Sequence, residues 1–265
     1  MNGTITLSRA LPALLNVLII DGAGHLVTID GANSYQVLNV GSAAGVTVNN
    51  LTISHGTGAG SSAPINRAGG AIFNAGALSA TNVNFSNNSG PDYGGAIYNY
   101  FGALEIANGV LSNNSANTGG AIDDQGGTLS VANSTFSSNA AATTGGGINN
   151  DSNGGTLTVV NSTFTSNSAG NGGGIFHQNN SKLTVGASTF ASNSASNGGA
   201  IFGAPGPSGS VAIGNSTFAA NSATVGGGAL WANVSGGSFT VTSSTCRATR
   251  RPAGPVSTRP TRRPP

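Results

Sequence analysis

Apolar residues return at fixed steps between residues 69 and 246. Each copy has a Gly-Gly pair and then a branched apolar residue. Those residues are Ile72, Ile97, Ile122, Ile148, Ile175, Ile201 and Leu230, separated by 25, 25, 26, 27, 26 and 29 positions. An apolar pair spaced by two follows: Leu78 and Ala80, Leu104 and Ile106, Leu129 and Val131, Leu157 and Val159, Leu183 and Val185, Val211 and Ile213, Phe239 and Val241. Seven residues after the first member of the pair stands Phe85, Leu111, Phe136, Phe164, Phe190 or Phe218. Three further on there is always an asparagine: Asn88, Asn114, Asn139, Asn167, Asn193 and Asn221. The Leu-to-Phe step is constant at seven, the Phe-to-Ile step is eleven or twelve, and the Ile-to-Leu step ranges from six to ten.

Alternation with period two predicts short strands. Glycine every few residues and the lack of a sustained i, i+3, i+4, i+7 pattern argue against helix. Two segments in constant register, with length changes confined to the stretch after Ile-x-Asn, fit strands stacked on their counterparts one turn below. A variable loop then runs along one edge. The prediction is a parallel β-solenoid of about eight or nine coils, in which no coil can bury its apolar face alone. Stacked coils would lie about 4.8 Å apart, bringing the repeated asparagines and phenylalanines into ladders. The Gly-Gly pair is expected to supply positive φ or close backbone approach at a corner.

Gly119-Gly120-Ala121-Ile122 with Phe136-Ser137-Ser138-Asn139 resembles the polymorphic outer-membrane protein repeat of chlamydial surface proteins and of bacterial right-handed parallel β-helix proteins. Both halves match, and Leu111 replaces Phe in one copy. The likeness covers residues 69–246, and residues 1–56 look like lead-in coils of the same class. It implies an all-β, right-handed, single-stranded parallel β-helix, extracellular or at the cell surface or outer membrane, often part of a larger exported protein. It carries over no catalytic residues.

Residues 4–7, 17–20, 26–29 and 35–40 read as lead-in strands, so residues 1–246 form one domain. Residues 11–15 are expected to form a short helical cap, and residues 54–68 a protruding Gly-Ser loop. The apolar stretch from Leu11 to Ile20 contains Pro12 and lacks a basic leader beyond Arg9, so it reads as the approach to a strand rather than a signal peptide. No apolar run reaches about 18 residues, so no transmembrane helix is expected.

The tail changes the picture of charge. Only Arg9, Arg67 and Lys182 among the nine basic residues precede residue 246, whereas all seven acids do. The body is therefore acidic and the Arg/Pro-rich tail, residues 247–265, strongly basic. Low apolar content predicts disorder there. The periodicity breaks at Cys246, where the next Phe is due. Back-translation from Thr245 with GC-rich codons, read from the third base, gives Leu-Pro-Gly-Asn-Ser-Ala-Ala-Gly-Gly and restores the repeat. An out-of-frame tail is thus the expectation, to be decided by the coding DNA. A basic tail for an acidic partner is the rival, but the body's charge gives no case for nucleic-acid binding. A single cysteine excludes an internal disulfide.

Candidate chemistry is sparse. Asp123, Asp124 and Asp151 fall in adjacent copies, and such a cluster could serve as a carboxylate pair or hold a calcium ion. No Lys or Arg occurs from residue 68 to 181, so a lyase-type base is missing there. The plainer reading makes these acids solvated turn residues replacing Asn, and places His177, His25 and His55 in turns as well. Phe73, Tyr98, Phe176, Phe202 and Trp231 form an aromatic column, which either packs inward or faces outward to stack on sugar rings or a partner. Recurrent Asn-Ser-Thr triplets read as structural. The expected function is a non-enzymatic surface scaffold or adhesin-like module meeting an extracellular protein or carbohydrate. The alternative is a polysaccharide-active lyase or hydrolase built on the three aspartates. End-to-end self-association through an uncapped coil is also expected.

Overall fold

The computed structural model describes residues 2–58, 67–151 and 154–247. One coil shows how sequence becomes structure. Strand Ile122–Gln125 turns at Gly126 into strand Thr128–Ala132. Asn133 then turns the chain into Thr135–Ser137, and Ser138 into Ala140–Thr144, before the next Gly-Gly pair. Every pairing is parallel and joins like positions: Ile122 with Ile97 and Ile148, Leu129 with Leu104 and Leu157, Phe136 with Leu111 and Phe164.

The result is an all-β parallel solenoid of about nine turns. Its three long sheets are named here for their inward-facing residue. The Phe sheet has ten strands, the Leu sheet nine and the Ile sheet eight. A short fourth face closes the coil as a three-stranded and a two-stranded sheet. Lead-in strands Gly3–Thr6, Leu18–Asp21, Val27–Asp30 and Leu38–Val40 extend the same sheets, so the solenoid starts where the alternation starts.

The bends follow from backbone chemistry. Asn82, Asn108, Asn133, Asn161 and Asn215 sit at φ between 50° and 56°. Asparagine enters this left-handed region at less cost than most side chains. Three of them head the Asn-Ser-Thr triplets, which are therefore turn residues. The Gly pair has two separate causes. Gly119 needs its positive φ of 62°, while a Cβ on Gly120 would lie 2.2 Å from the carbonyl oxygen of Gly146 in the next coil.

The lumen is filled by the stacked apolar columns. Phe136, Phe164, Phe190 and Phe218 are wholly buried, with centroids 4.5, 4.8 and 5.2 Å apart and nearly parallel planes. Each contributes roughly 1.5–3 kcal/mol by burial. Cys246 pairs in register with Phe218, so it stands in the Phe position, but exposed.

Two local expectations change. Residues 11–15 form no helix: Leu14 bridges to Val40, donating its N–H to Asn39 and accepting from Gly41. Pro12 lacks an N–H, and the unpaired edge of the Ile sheet offers the backbone partners a helix would have supplied internally. Most of the 54–68 loop lies outside the described residues. Its flanks bridge to the fourth face, Thr57 to Ser89 and Ala68 to Tyr93. The tail expected to be disordered also lies outside them, apart from Arg247.

Candidate functional site

The aspartates sit on strand Ile122–Gln125 of the Ile sheet. Side chains alternate faces along a strand. Ile122 and Asp124 therefore face the lumen, while Asp123 faces the outer side. This separates residues that are adjacent in sequence into two environments.

Inside, Asp124 belongs to a polar column formed by Asn74, Asn99, Asp124, Asn150 and His177, all 0% exposed. Asn74 Nδ2 donates to Asn99 Oδ1 at 2.7 Å, and Asn99 Nδ2 to Asp124 Oδ1 at 2.6 Å. Asn150 Nδ2 lies 3.2 Å from His177 Nδ1. The chain of bonds breaks between Asp124 and Asn150, where Asp124 Oδ2 and Asn150 Oδ1 have no partner; His177 Nε2 has none either. Burial pushes the Asp124 carboxyl up to about 7 and the His177 imidazole down to about 4. Both shifts favour the neutral form, as low-dielectric surroundings require.

Outside, the aromatic column does not face solvent freely. Phe73 and Tyr98 are buried with Ala68 in a small apolar cluster separate from the lumen. They pack against the fourth face, where Tyr93 stacks on Tyr98 at 5.2 Å. Further along, Phe176 stacks on Phe202 at 4.9 Å, and Phe202 on Trp231 at 6.5 Å. Asp123 and Asn149 occupy this column in the two coils between Tyr98 and Phe176. Small polar groups thus interrupt a stack of rings, and a cavity of about 60 Å³ opens at the gap, lined by Tyr93, Thr118, Asp123, Asn149 and Asp151 among others.

Asp123 accepts a short hydrogen bond from the Thr118 hydroxyl and another from Asn149 Nδ2 at 3.3 Å. Burial raises its carboxyl to about 6; the two donors oppose that rise, and the nearby Asp151 charge adds to it. Asp151, half-buried at the rim, accepts from Gln178 Nε2 and from Asn179 Nδ2 at 2.8 Å, both on Oδ1. Burial raises its carboxyl too. The Tyr98 hydroxyl, raised by burial and then by Asp123, donates to Gln125 Oε1.

The reading of the aspartates as solvated turn acids is therefore overturned for Asp123 and Asp124, while Asp151 lies just past strand Ile148–Asn150 and is partly exposed. Asp124 is a buried strand residue because the Asn column it joins faces the lumen, and Asp123 because the fourth face closes over it. His177 is corrected in the same way, while His25 and His55 do lie at turns. All three aspartates line the cavity, and Asp124 also bonds into the lumen column through Asn99. At about 60 Å³ it holds a few waters, far below the ~300–1,000 Å³ of a small-molecule site. No three acid, histidine or cysteine groups converge on a metal position among the described residues.

The asparagine ladder is present as the spacing predicts. Nδ2 of Asn88, Asn114, Asn139, Asn167 and Asn193 donates to Oδ1 of the next Asn at 2.9–3.0 Å, and each backbone N–H donates to that same oxygen. A second ladder runs beside it, one that the apolar spacing does not reveal. Ser134, Ser162 and Ser188 each donate a backbone N–H to the next serine's Oγ, at 3.1–3.2 Å. The serine of the Asn-Ser-Thr triplets is only a partial signal of it. A groove of about 520 Å³ runs over the outer face of the Leu sheet, past Thr47, Ser79, Glu105 and Ser130.

The family model of the Chlamydia polymorphic membrane protein repeat matches residues 82–100 and 161–178. Each match runs from a left-handed Asn through Phe-x-x-Asn to the Ile strand, so these two segments match that repeat. No curated protein and no solved structure matches. No described helix is long and apolar enough to cross a membrane.

Proposed function

We propose that the chain is a non-enzymatic, extracellular or cell-surface β-helix module, acting as a scaffold or adhesin-like face of a larger exported protein. The repeat match supports a surface or outer-membrane setting. The carrying observation is the division of the coil. Its Phe and Asn columns are engaged in ladders, whereas the Leu sheet presents an open groove over Thr47, Ser79, Glu105 and Ser130. Binding there would rest on shape and hydrogen bonds to an extracellular protein or carbohydrate, since few charges line it.

Beads coated with the protein should adhere to host cells or matrix, and Ser79→Arg with Ser130→Arg should abolish adhesion without lowering Tm. Adhesion equal to that of uncoated beads would refute this reading. One observation favours a second reading, a polysaccharide-active enzyme: Asp123 and Asp151 share a cavity. Incubation with acidic and neutral polysaccharides should release no unsaturated or reducing ends. Release that disappears in Asp123→Asn would reverse the assignment.

A further inference from the structure

We propose that Asp123, Asp151 and Asn149 form a binding site for a hard divalent cation of calcium's size. The site is independent of what the Leu-sheet face binds. Three observations carry it. First, the cavity exists because two coils place small oxygen-bearing side chains where their neighbours stack rings. Second, Asn149 is 3% exposed and lines that cavity, yet its Oδ1 has no hydrogen-bond partner. Its Nδ2 donates to Asp123, which fixes the amide's direction and leaves the oxygen as an unused acceptor. Third, the carboxylates of Asp123 and Asp151 line this cavity, with Asp124 beside them, and have no basic partner among the described residues. Among the described residues, the side-chain donors to them are Thr118 and Asn149 on Asp123, and Gln178 and Asn179 on Asp151, all neutral. The ion pairs described lie elsewhere, His55 with Asp30 and Arg67 with Asp92.

A buried carboxylate needs a counter-charge. A cation at the gap would meet the Asn149 amide oxygen and carboxylate oxygens from two coils. Water entering past the half-buried Asp151 would complete its shell. An all-oxygen donor set of this kind suits calcium. Its coordination is flexible, whereas magnesium demands a tight octahedron and gives up water reluctantly. The position also has a structural consequence: the ion would tie the Ile-sheet strand of one coil to the end of the next.

The test uses the full chain, stripped with chelator. Adding calcium chloride should raise Tm by several degrees in a saturable way, and magnesium at equal concentration should raise it less. Terbium should bind at the same place and emit through Tyr93 and Tyr98, with calcium displacing it. Asp123→Asn and Asp151→Asn should each remove the calcium shift and the sensitised emission. Asn is already the residue at the Asp123 position in the next coil, and Asp151 is half-buried, so at least one variant folds. No calcium shift in the wild-type protein, or a shift that survives both substitutions, overturns the proposal. Equal shifts from calcium and magnesium overturn the size assignment.

Discussion

Asp124 is the carboxylate in a lumen column otherwise built from amides and one imidazole. An amide there would accept from Asn99 as Asp124 does, and would offer an N–H toward Asn150 Oδ1, which now lacks a donor. Asp124→Asn is therefore expected to stabilise the fold by about 1–3 kcal/mol at neutral pH, read by urea denaturation. His177 gives the pH dependence. Its folded value is depressed from an ordinary 6.5 to about 4 by burial. The unfolded chain therefore binds the proton more tightly. The stability held by neutral His177 is complete above pH 6.5 and declines as pH falls toward 4, by up to about 3 kcal/mol. The difference in unfolding free energy between wild type and His177→Asn, followed across that window, isolates this contribution from the carboxylates. A pH-independent difference would show that His177 does not titrate as its burial requires.

At the scale of the strand and the turn, the same residue type has different weights. Gly120 faces a backbone carbonyl one coil away, which cannot yield, whereas Gly186 has only a Val160 methyl at 3.8 Å. Gly120→Ala should cost about 4 kcal/mol, while Gly186→Ala should be neutral or gain about 0.5–1 kcal/mol by relieving strand entropy. The Phe stack has a comparable internal control. Phe164→Ala should lose about 3–5 kcal/mol. Phe164→Leu should lose about 1 kcal/mol, because Leu111 already holds that position and cores accept such swaps. Calorimetry on the paired variants checks both series. The Ile, Leu, Phe and Asn columns were legible in the sequence because each recurs with constant spacing. The serine ladder is as regular, but in Ser134, Ser162 and Ser216 it follows the turn asparagine, and at Ser188 an alanine stands there instead, so no fixed triplet marks it.

For the whole molecule, stability passes from coil to coil, so the ends differ from the middle. Among the described residues, strand Gly3–Thr6 pairs on one side alone, and Ile5, which continues the Ile29 column, is exposed together with Ile19 and Leu26. Unpaired edges with apolar side chains recruit further strands. Residues 1–246 produced alone should associate end to end, with an apparent mass by light scattering that rises with concentration. A monomer at every concentration would contradict this. Because the described body has little charge and few ion pairs, its melting temperature should change little with added sodium chloride.

Spacing along the chain was enough to establish a stacked, all-β solenoid, its coil number and the partners within each column. In a one-dimensional stack, each residue's neighbour is its own counterpart one period away. Only the folded coil decided what lies on the outer side of the Ile sheet. There the fourth face closes over Phe73, Tyr98 and Asp123, and that contact joins residues from different parts of the period. The same closure turned Asp123 from an exposed acid into a buried one and placed it beside Asp151. Periodicity records which residues repeat, and the depth of a given column depends on how the coil bends around it.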